Sequence, residues 1–182
     1  QTGHVSGLPV EHGLAGGDPG PYTAYGVYLG ITAAVRHRLG RNDLHGVHVA
    51  MQGTGSVGGG VARLLAKAGA KLTIADVDGR KAEALAAELG AKVVAADAII
   101  GVPCDVFSPN ALGAILNPEN IGALDCAVVA GGANNQLARA EHGALLVERG
   151  ILYAPDYVIN AGGIIDVALE YLGRQSGAPY TT

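Results

Sequence analysis

The chain has 182 residues, of which 49% are hydrophobic and 15% charged, with a formal net charge of −4. That length suits a single domain with a full core, and the composition excludes a disordered chain. The acidic balance leaves no basic footprint for nucleic acid, no apolar run reaches membrane-spanning length and no signal peptide opens the chain, so the cytoplasm is the default setting.

Residues 1–21 are rich in Gly, Pro and His, lack periodicity, and read as a leader or linker. A helix is predicted from about Tyr22 to Leu39, with Val27, Ile31, Ala34, Val35 and Leu39 on one face and Gly40 as its stop. Val47–Gln52 reads as the first strand and Lys71–Ala75 as the second. A helix over Gly79–Leu89, ended by Gly90, leads to a short third strand at Ala91–Ala95. The second half is less regular. Strands are predicted at Asp105–Ser108, Cys126–Ala130 and Ile151–Pro155, a helix near Ala140–Arg149, and a closing helix over Ala161–Leu172. Residues 173–182 are left as a tail. Strands alternating with helices give an α/β class with a doubly wound parallel sheet of Rossmann type, in a single domain spanning 22–172. With no tryptophan and one phenylalanine, the core is built from Ala, Val, Leu and Ile. That suits helices packed closely on a parallel sheet.

The most informative segment is Gly53-Thr54-Gly55-Ser56-Val57-Gly58, a Gly-x-Gly-x-x-Gly run placed directly after the first strand. Gly53 permits the tight turn, Gly55 lets backbone approach a pyrophosphate, and Gly58 lets helix and strand pack closely. Free N–H groups and the helix dipole at that point attract phosphate. In a chain with 29 glycines the run alone says little. Its context adds weight, because Val57, Val61, Leu64, Leu65 and Ala68 have helical spacing after it. Asp76 closes the second strand 23 residues after Gly53, where an acid can bind the adenosine ribose and repel a 2′-phosphate. NAD is therefore favoured, with Arg80-Lys81 as the competing feature that could reach the phosphate of NADP. Asp76 could also be a helix cap.

Ligands of such sheets lie beyond the carboxyl ends of the strands. That rule selects Gly53–Gly58, Asp76-Val77-Asp78, Ser108-Pro109-Asn110-Ala111 and Gly131-Gly132-Ala133-Asn134-Asn135. The Asn134-Asn135 pair has both amide donors and acceptors, and is equally good turn sequence. Asn160-Ala161-Gly162-Gly163 is similar, with a helix start as its plainer reading. Cys104 and Cys126 flank buried strands and read as two reduced core thiols. The six histidines show no metal-ligand spacing, so no metal site is expected.

Five segments in order resemble one family: Asp18–Val27, Val49–Gly58, Cys104–Gly113, Val128–Gln136 and Ile151–Gly163. The chain resembles, along nearly its whole length, the nucleotide-binding domain of the Glu/Leu/Phe/Val amino-acid dehydrogenases. The resemblance implies NAD-dependent oxidative deamination of an L-amino acid to a 2-oxo acid and ammonia. It implies that Thr23 approaches the nicotinamide carboxamide, that Gly53, Thr54, Gly55, Ser56, Val57 and Gly58 hold the pyrophosphate, and that Asp76 and Val77 serve the adenosine. By the same resemblance Asn110 and Ala111 lie along the cofactor. Ala133 and Asn134 sit at the nicotinamide, with Asn134 also near the substrate carboxylate. Ile164 and Val167 contact the substrate side chain, an apolar pair that favours leucine, valine or phenylalanine over glutamate. Two local departures stand out: Asn110 where Cys is usual in several members, and Asp166 where Asn is common.

The resemblance also implies an N-terminal catalytic domain, missing here, that supplies two lysines and an aspartate, so no catalytic residue is expected in these 182 residues. The only lysines are Lys67, Lys71, Lys81 and Lys92, all on predicted elements of the nucleotide half. Expected partners are a small amino acid or 2-oxo acid and that catalytic domain, and the full-length enzyme is expected to be a homo-oligomer. A stand-alone NAD-binding sensor is the alternative, discriminated by whether a lysine segment lies upstream of Gln1.

Overall fold

The structure is a computed structural model that describes residues 17–171. Most of the predicted leader and the tail from Leu172 onward lie outside the described residues. The elements run α1 (Gly20–Leu39), β1 (His48–Gln52), α2 (Ser56–Lys67), β2 (Lys71–Ala75), α3 (Gly79–Leu89), β3 (Lys92–Val93), β4 (Val106–Pro109), α4 (Pro118–Ala123), β5 (Val128–Val129), α5 (His142–Glu148), β6 (Leu152–Tyr153), α6 (Asp156–Ile159) and α7 (Gly162–Tyr171).

The sheet has six strands in the order β3-β2-β1-β4-β5-β6. All its pairings are parallel. The chain moves outward from β1 to β3, then crosses back to place β4 on the other side of β1. This is the doubly wound order with its switch point between β1 and β4, where a crevice opens beyond the carboxyl ends.

Alternation along the strands sends side chains into two cores. Val49 and Met51 of β1 and Val106 of β4 face the cluster under α1, α2 and α3. Ala50 and Phe107 face the other cluster, with Ile121, Leu124 and Leu146 of the α4–α5 layer. Both faces are buried, as a parallel sheet requires. Phe107, the only phenylalanine, is 1% exposed.

The sequence and the structure differ at element ends. α1 starts at Gly20, inside the stretch assigned to the leader, because the Asp18 carboxylate accepts the Gly20 N–H at 2.9 Å and Pro21 suits the first turn. The third strand shrinks from Ala91–Ala95 to two exposed residues, since an edge strand has one neighbour and little to bury. The fifth and sixth strands are also two residues long, and the fourth extends to Pro109. A short 3-10 turn at Ile99–Gly101, α4 and α6 were not foreseen. Cys104 and Cys126 are free thiols, and both are half-buried at the rim of the core rather than inside it. A hydrogen bond to Cys126 and burial hold the Cys104 thiol far above its ordinary range.

α7 packs on α1 where glycines allow close approach. Gly162 lies against Tyr22 and Gly163 against the Thr23 hydroxyl. Asp166 follows these by one helical turn on the same face, is 3% exposed, and neither carboxylate oxygen has a hydrogen-bond partner among the described residues. Burial raises its carboxyl above the usual range, and the Glu170 charge adds to the effect. The folded state therefore keeps this proton to a higher pH than the unfolded chain. Stability is lost as pH climbs from the unfolded value, about 4, through the folded one. Asp166→Asn should raise the Tm at pH 7 by about 2–4 °C, the equivalent of about 1 kcal/mol, with no gain near pH 3. An equal gain at both pH values in a thermal melt would show that the charge is not the cause.

Candidate dinucleotide site at the sheet switch point

The Gly53 turn sets the geometry. Its φ is +93°, a conformation strained for any side chain, and a Cβ there would lie 2.9 Å from the backbone of Asn110 and Ala111. Gly53 N–H donates to the Ala75 carbonyl at 2.8 Å, and Asn110 N–H to the Gln52 carbonyl at 2.7 Å. The ends of β2, β1 and β4 are thus stitched together around one turn. Gly58 is fully packed against the Gly53 carbonyl, which seats the first turn of α2 on β1.

Gly55 is different, since a Cβ there would meet nothing within 4 Å. It is exposed and forms the N-cap of α2 without a side-chain cap. This leaves open space at the helix start, where N–H groups concentrate partial positive charge. The neighbouring Ser56 hydroxyl turns away and donates to Asp18 at 3.3 Å.

Asp76 stands just past β2. Its Oδ2 accepts the Thr54 N–H at 2.7 Å and the Thr54 hydroxyl at 2.8 Å, and its Oδ1 accepts the Asp78 N–H at 2.9 Å. Burial pushes its carboxyl up, but these three hydrogen bonds and the Lys81 charge outweigh that, so the group sits below the usual carboxylate range. It is not the cap of α3. Asp78 fills that role by accepting the Arg80 N–H at 3.2 Å. Val77 is 96% exposed beside it, a bare apolar surface next to an anion.

At the end of β4, the Asn110 side chain is committed to the protein. Its Nδ2 donates to the Ser108 carbonyl at 2.9 Å and hydroxyl at 3.0 Å, while its Oδ1 accepts the Gly132 N–H at 2.9 Å. What it offers a ligand is backbone, together with exposed Ala111. The Gly131–Asn135 loop after β5 is held from beneath by Gln136. This fully buried amide donates to the Gly131 carbonyl at 2.7 Å and the Ala133 carbonyl at 3.0 Å. Asn134 projects above the loop, exposed, and its Oδ1 accepts the Asn160 Nδ2 at 2.7 Å. With Oδ1 engaged, the Nδ2 of this exposed residue is what remains to donate to a ligand.

Thr23 lies on the first turn of α1 and donates its hydroxyl to the Pro19 carbonyl at 3.1 Å. Ile164 is 66% exposed on α7 and Val167 is half-buried. Two residues of this constellation are not among the sequence-derived site residues: Gln136, which closes one of the resembling segments, and Asn160, whose plainer sequence reading is a helix start. The signal for both was their position next to glycine-rich strand ends. Among the described residues no three His, Cys, Asp or Glu side chains cluster as metal ligands. No described helix is long and apolar enough to cross a membrane.

The comparisons with known proteins agree with this architecture. Residues 80–182 match the family model described as Glutamate/Leucine/Phenylalanine/Valine dehydrogenase. A leucine dehydrogenase of Thermoactinomyces intermedius is 49% identical over 173 residues, covering 95% of this chain and 47% of that protein. A phenylalanine dehydrogenase of the same organism is 44% identical over 170 residues, covering 92% of this chain and 46% of that protein. The crystal structure of L-tryptophan dehydrogenase from Nostoc punctiforme superposes with a TM-score of 0.86 at 45% identity, covering 89% of this chain and 50% of that one. The chain spans about half the length of the curated relatives it matches. On this evidence of sequence and fold, the chain belongs to the Glu/Leu/Phe/Val dehydrogenase family.

Proposed function

We propose that this chain is the NAD-binding half of an L-amino-acid dehydrogenase that oxidatively deaminates an apolar amino acid to its 2-oxo acid and ammonia. The observation that carries the reading is Asp76, an ionised carboxylate fixed beside the Gly53–Gly58 turn at the switch point of a doubly wound sheet. The residues present fit the dinucleotide. The open space at Gly55 leaves room for a pyrophosphate, Asp76 suits a ribose hydroxyl, and Val77 is apolar cover for an adenine. When bound, NAD supplies the hydride acceptor.

Each group then has a stated task. The α2 N-terminus neutralises phosphate charge. Asn110 and Gln136 fix the loop from which Ala133 and Asn134 face the nicotinamide end. Asn160 takes the Asn134 Oδ1, which leaves the Asn134 Nδ2 to donate to a substrate carboxylate. Ile164 and Val167 offer an apolar wall to the side chain, in keeping with relatives named for leucine and phenylalanine. Thr23 adds a hydroxyl oxygen that can still accept a hydrogen bond. The proton chemistry is assigned to the part of the whole enzyme that this chain does not span. All four lysines sit on α2, β2, α3 and β3, in the first half of the fold, whereas Asn134 and Ile164 belong to the second. General acid–base work needs a group within hydrogen-bond reach of the substrate. A stand-alone sensor finds no support among relatives that are named as dehydrogenases.

Calorimetric titration of the 182-residue chain with NAD should give saturable binding, and Asp76→Ala should weaken it by about 1.5–3 kcal/mol. Unchanged affinity in that variant would put the ribose elsewhere. The chain alone should reduce no NAD above the blank with L-leucine, L-valine or L-phenylalanine; turnover near 1 s⁻¹ or faster, about the lower end for enzymes, would contradict the division of labour. Gln136→Met keeps the volume and removes both donors. It should weaken NAD about tenfold while sparing AMP, because the loop it holds serves only the nicotinamide end. Equal losses for NAD and AMP would make Gln136 a support of the whole fold.

A further inference from the structure

An ionised carboxylate offers about four acceptor positions. At Asp76 the protein fills three of them: two on Oδ2, both from Thr54, and one on Oδ1, from the Asp78 N–H. One position on Oδ1 stays open to a ligand. The carboxylate is held at both ends, so it cannot swing aside when a larger group arrives. Two cations lie close by on α3. Arg80 lies 3.6 Å from the Asp78 carboxylate and its side chain is 92% exposed. Lys81, in the first turn of α3, acts on the Asp76 charge. A ribose hydroxyl can donate to the open position. A 2′-phosphate brings only acceptors and negative charge to a fixed anion.

Asp76 alone would not secure this outcome. A carboxylate held less firmly at Oδ2 can rotate more readily and let Arg80 and Lys81 bind the phosphate. Among the described residues, the Thr54 hydroxyl is the side-chain donor that reinforces the hold of the Thr54 and Asp78 backbone N–H groups, sharing Oδ2 with the first of them. We propose that Thr54 is the specificity-determining positioning residue of this site, its hydroxyl locking Asp76 so that the chain accepts NAD and rejects NADP. The inference rests on the proposed dinucleotide function and adds the means of discrimination.

The test measures NAD and NADP affinity of the unaltered chain, Thr54→Val and Thr54→Ser by calorimetry. Valine keeps the branched shape and the backbone N–H and removes only the hydroxyl. Its NAD-to-NADP affinity ratio should fall about tenfold, the scale of one hydrogen bond to a charged group. Serine restores the hydroxyl and should keep the ratio. The acid limb of NAD binding should also move to higher pH in Thr54→Val, since Asp76 loses a hydrogen bond that favours its ionised form; a purely structural loss would leave that limb in place. Thr54→Ala provides the same comparison if the valine variant fails to fold, as judged by its thermal melt. A ratio within twofold of the unaltered chain in a folded valine or alanine variant overturns the role of Thr54 and leaves the dinucleotide function standing. An unaltered chain that binds neither nucleotide overturns both.

Discussion

The structure depends on one close approach, the backbone of Gly53 against that of Asn110 and Ala111. β1 and β4 are neighbours in the sheet but far apart in the chain, with α2, β2, α3 and β3 between them. They can end side by side, with a turn into α2 folded over the gap, only if nothing protrudes from Gly53. Its left-handed φ and missing side chain meet that condition. The hydrogen bonds from Gly53 to Ala75 and from Asn110 to Gln52 then fix three strand ends at one level. The crevice beyond them is a consequence of this packing, and so is the line of groups on its rim.

That rim is preorganised by the protein's own hydrogen bonds. Asp76 is oriented by Thr54 and Asp78, Asn134 by Asn160, and the Gly131–Asn134 loop by Asn110 and Gln136. A site assembled in this way loses little conformational entropy when a ligand arrives. The buried Gln52 and Gln136 Oε1 atoms have no partner among the described residues and lie at or just under strand ends, so those residues do not fully satisfy the polar shell.

Much of this was legible in the sequence. β2 and α3 match their sequence-derived bounds to the residue, because a short apolar run and a Gly stop are decided within a few neighbours, whereas the cap is Asp78 rather than Asp76. The doubly wound class followed from alternation of element types. The second half was harder to read. Its strands β5 and β6 are two residues long, and their limits are set by pairing with distant partners rather than by their own apolar runs. α4 did carry a readable signal, Asn117 accepting the Asn120 N–H with Pro118 at the helix start, but six residues are too few for periodicity to show.

The site was legible in outline and illegible in wiring. Sequence spacing places an acid and a glycine turn near each other, but it does not say that the residue between two glycines would hold that acid. Thr54 is expected from the sequence only as part of the turn that holds the pyrophosphate, and in the structure its side chain and N–H both serve Asp76. Asn110 is expected along the cofactor, and the structure adds that its amide joins β4 to the loop after β5. In both cases the type of residue was informative and the partner was not, because a polar side chain at a strand end has several donors and acceptors within reach. Which of them it uses is decided by the crossover that brings β2, β1, β4 and β5 to a common edge. The functional groups of this domain are therefore set by topology first, and by the chemistry of each side chain only within the choices that topology leaves.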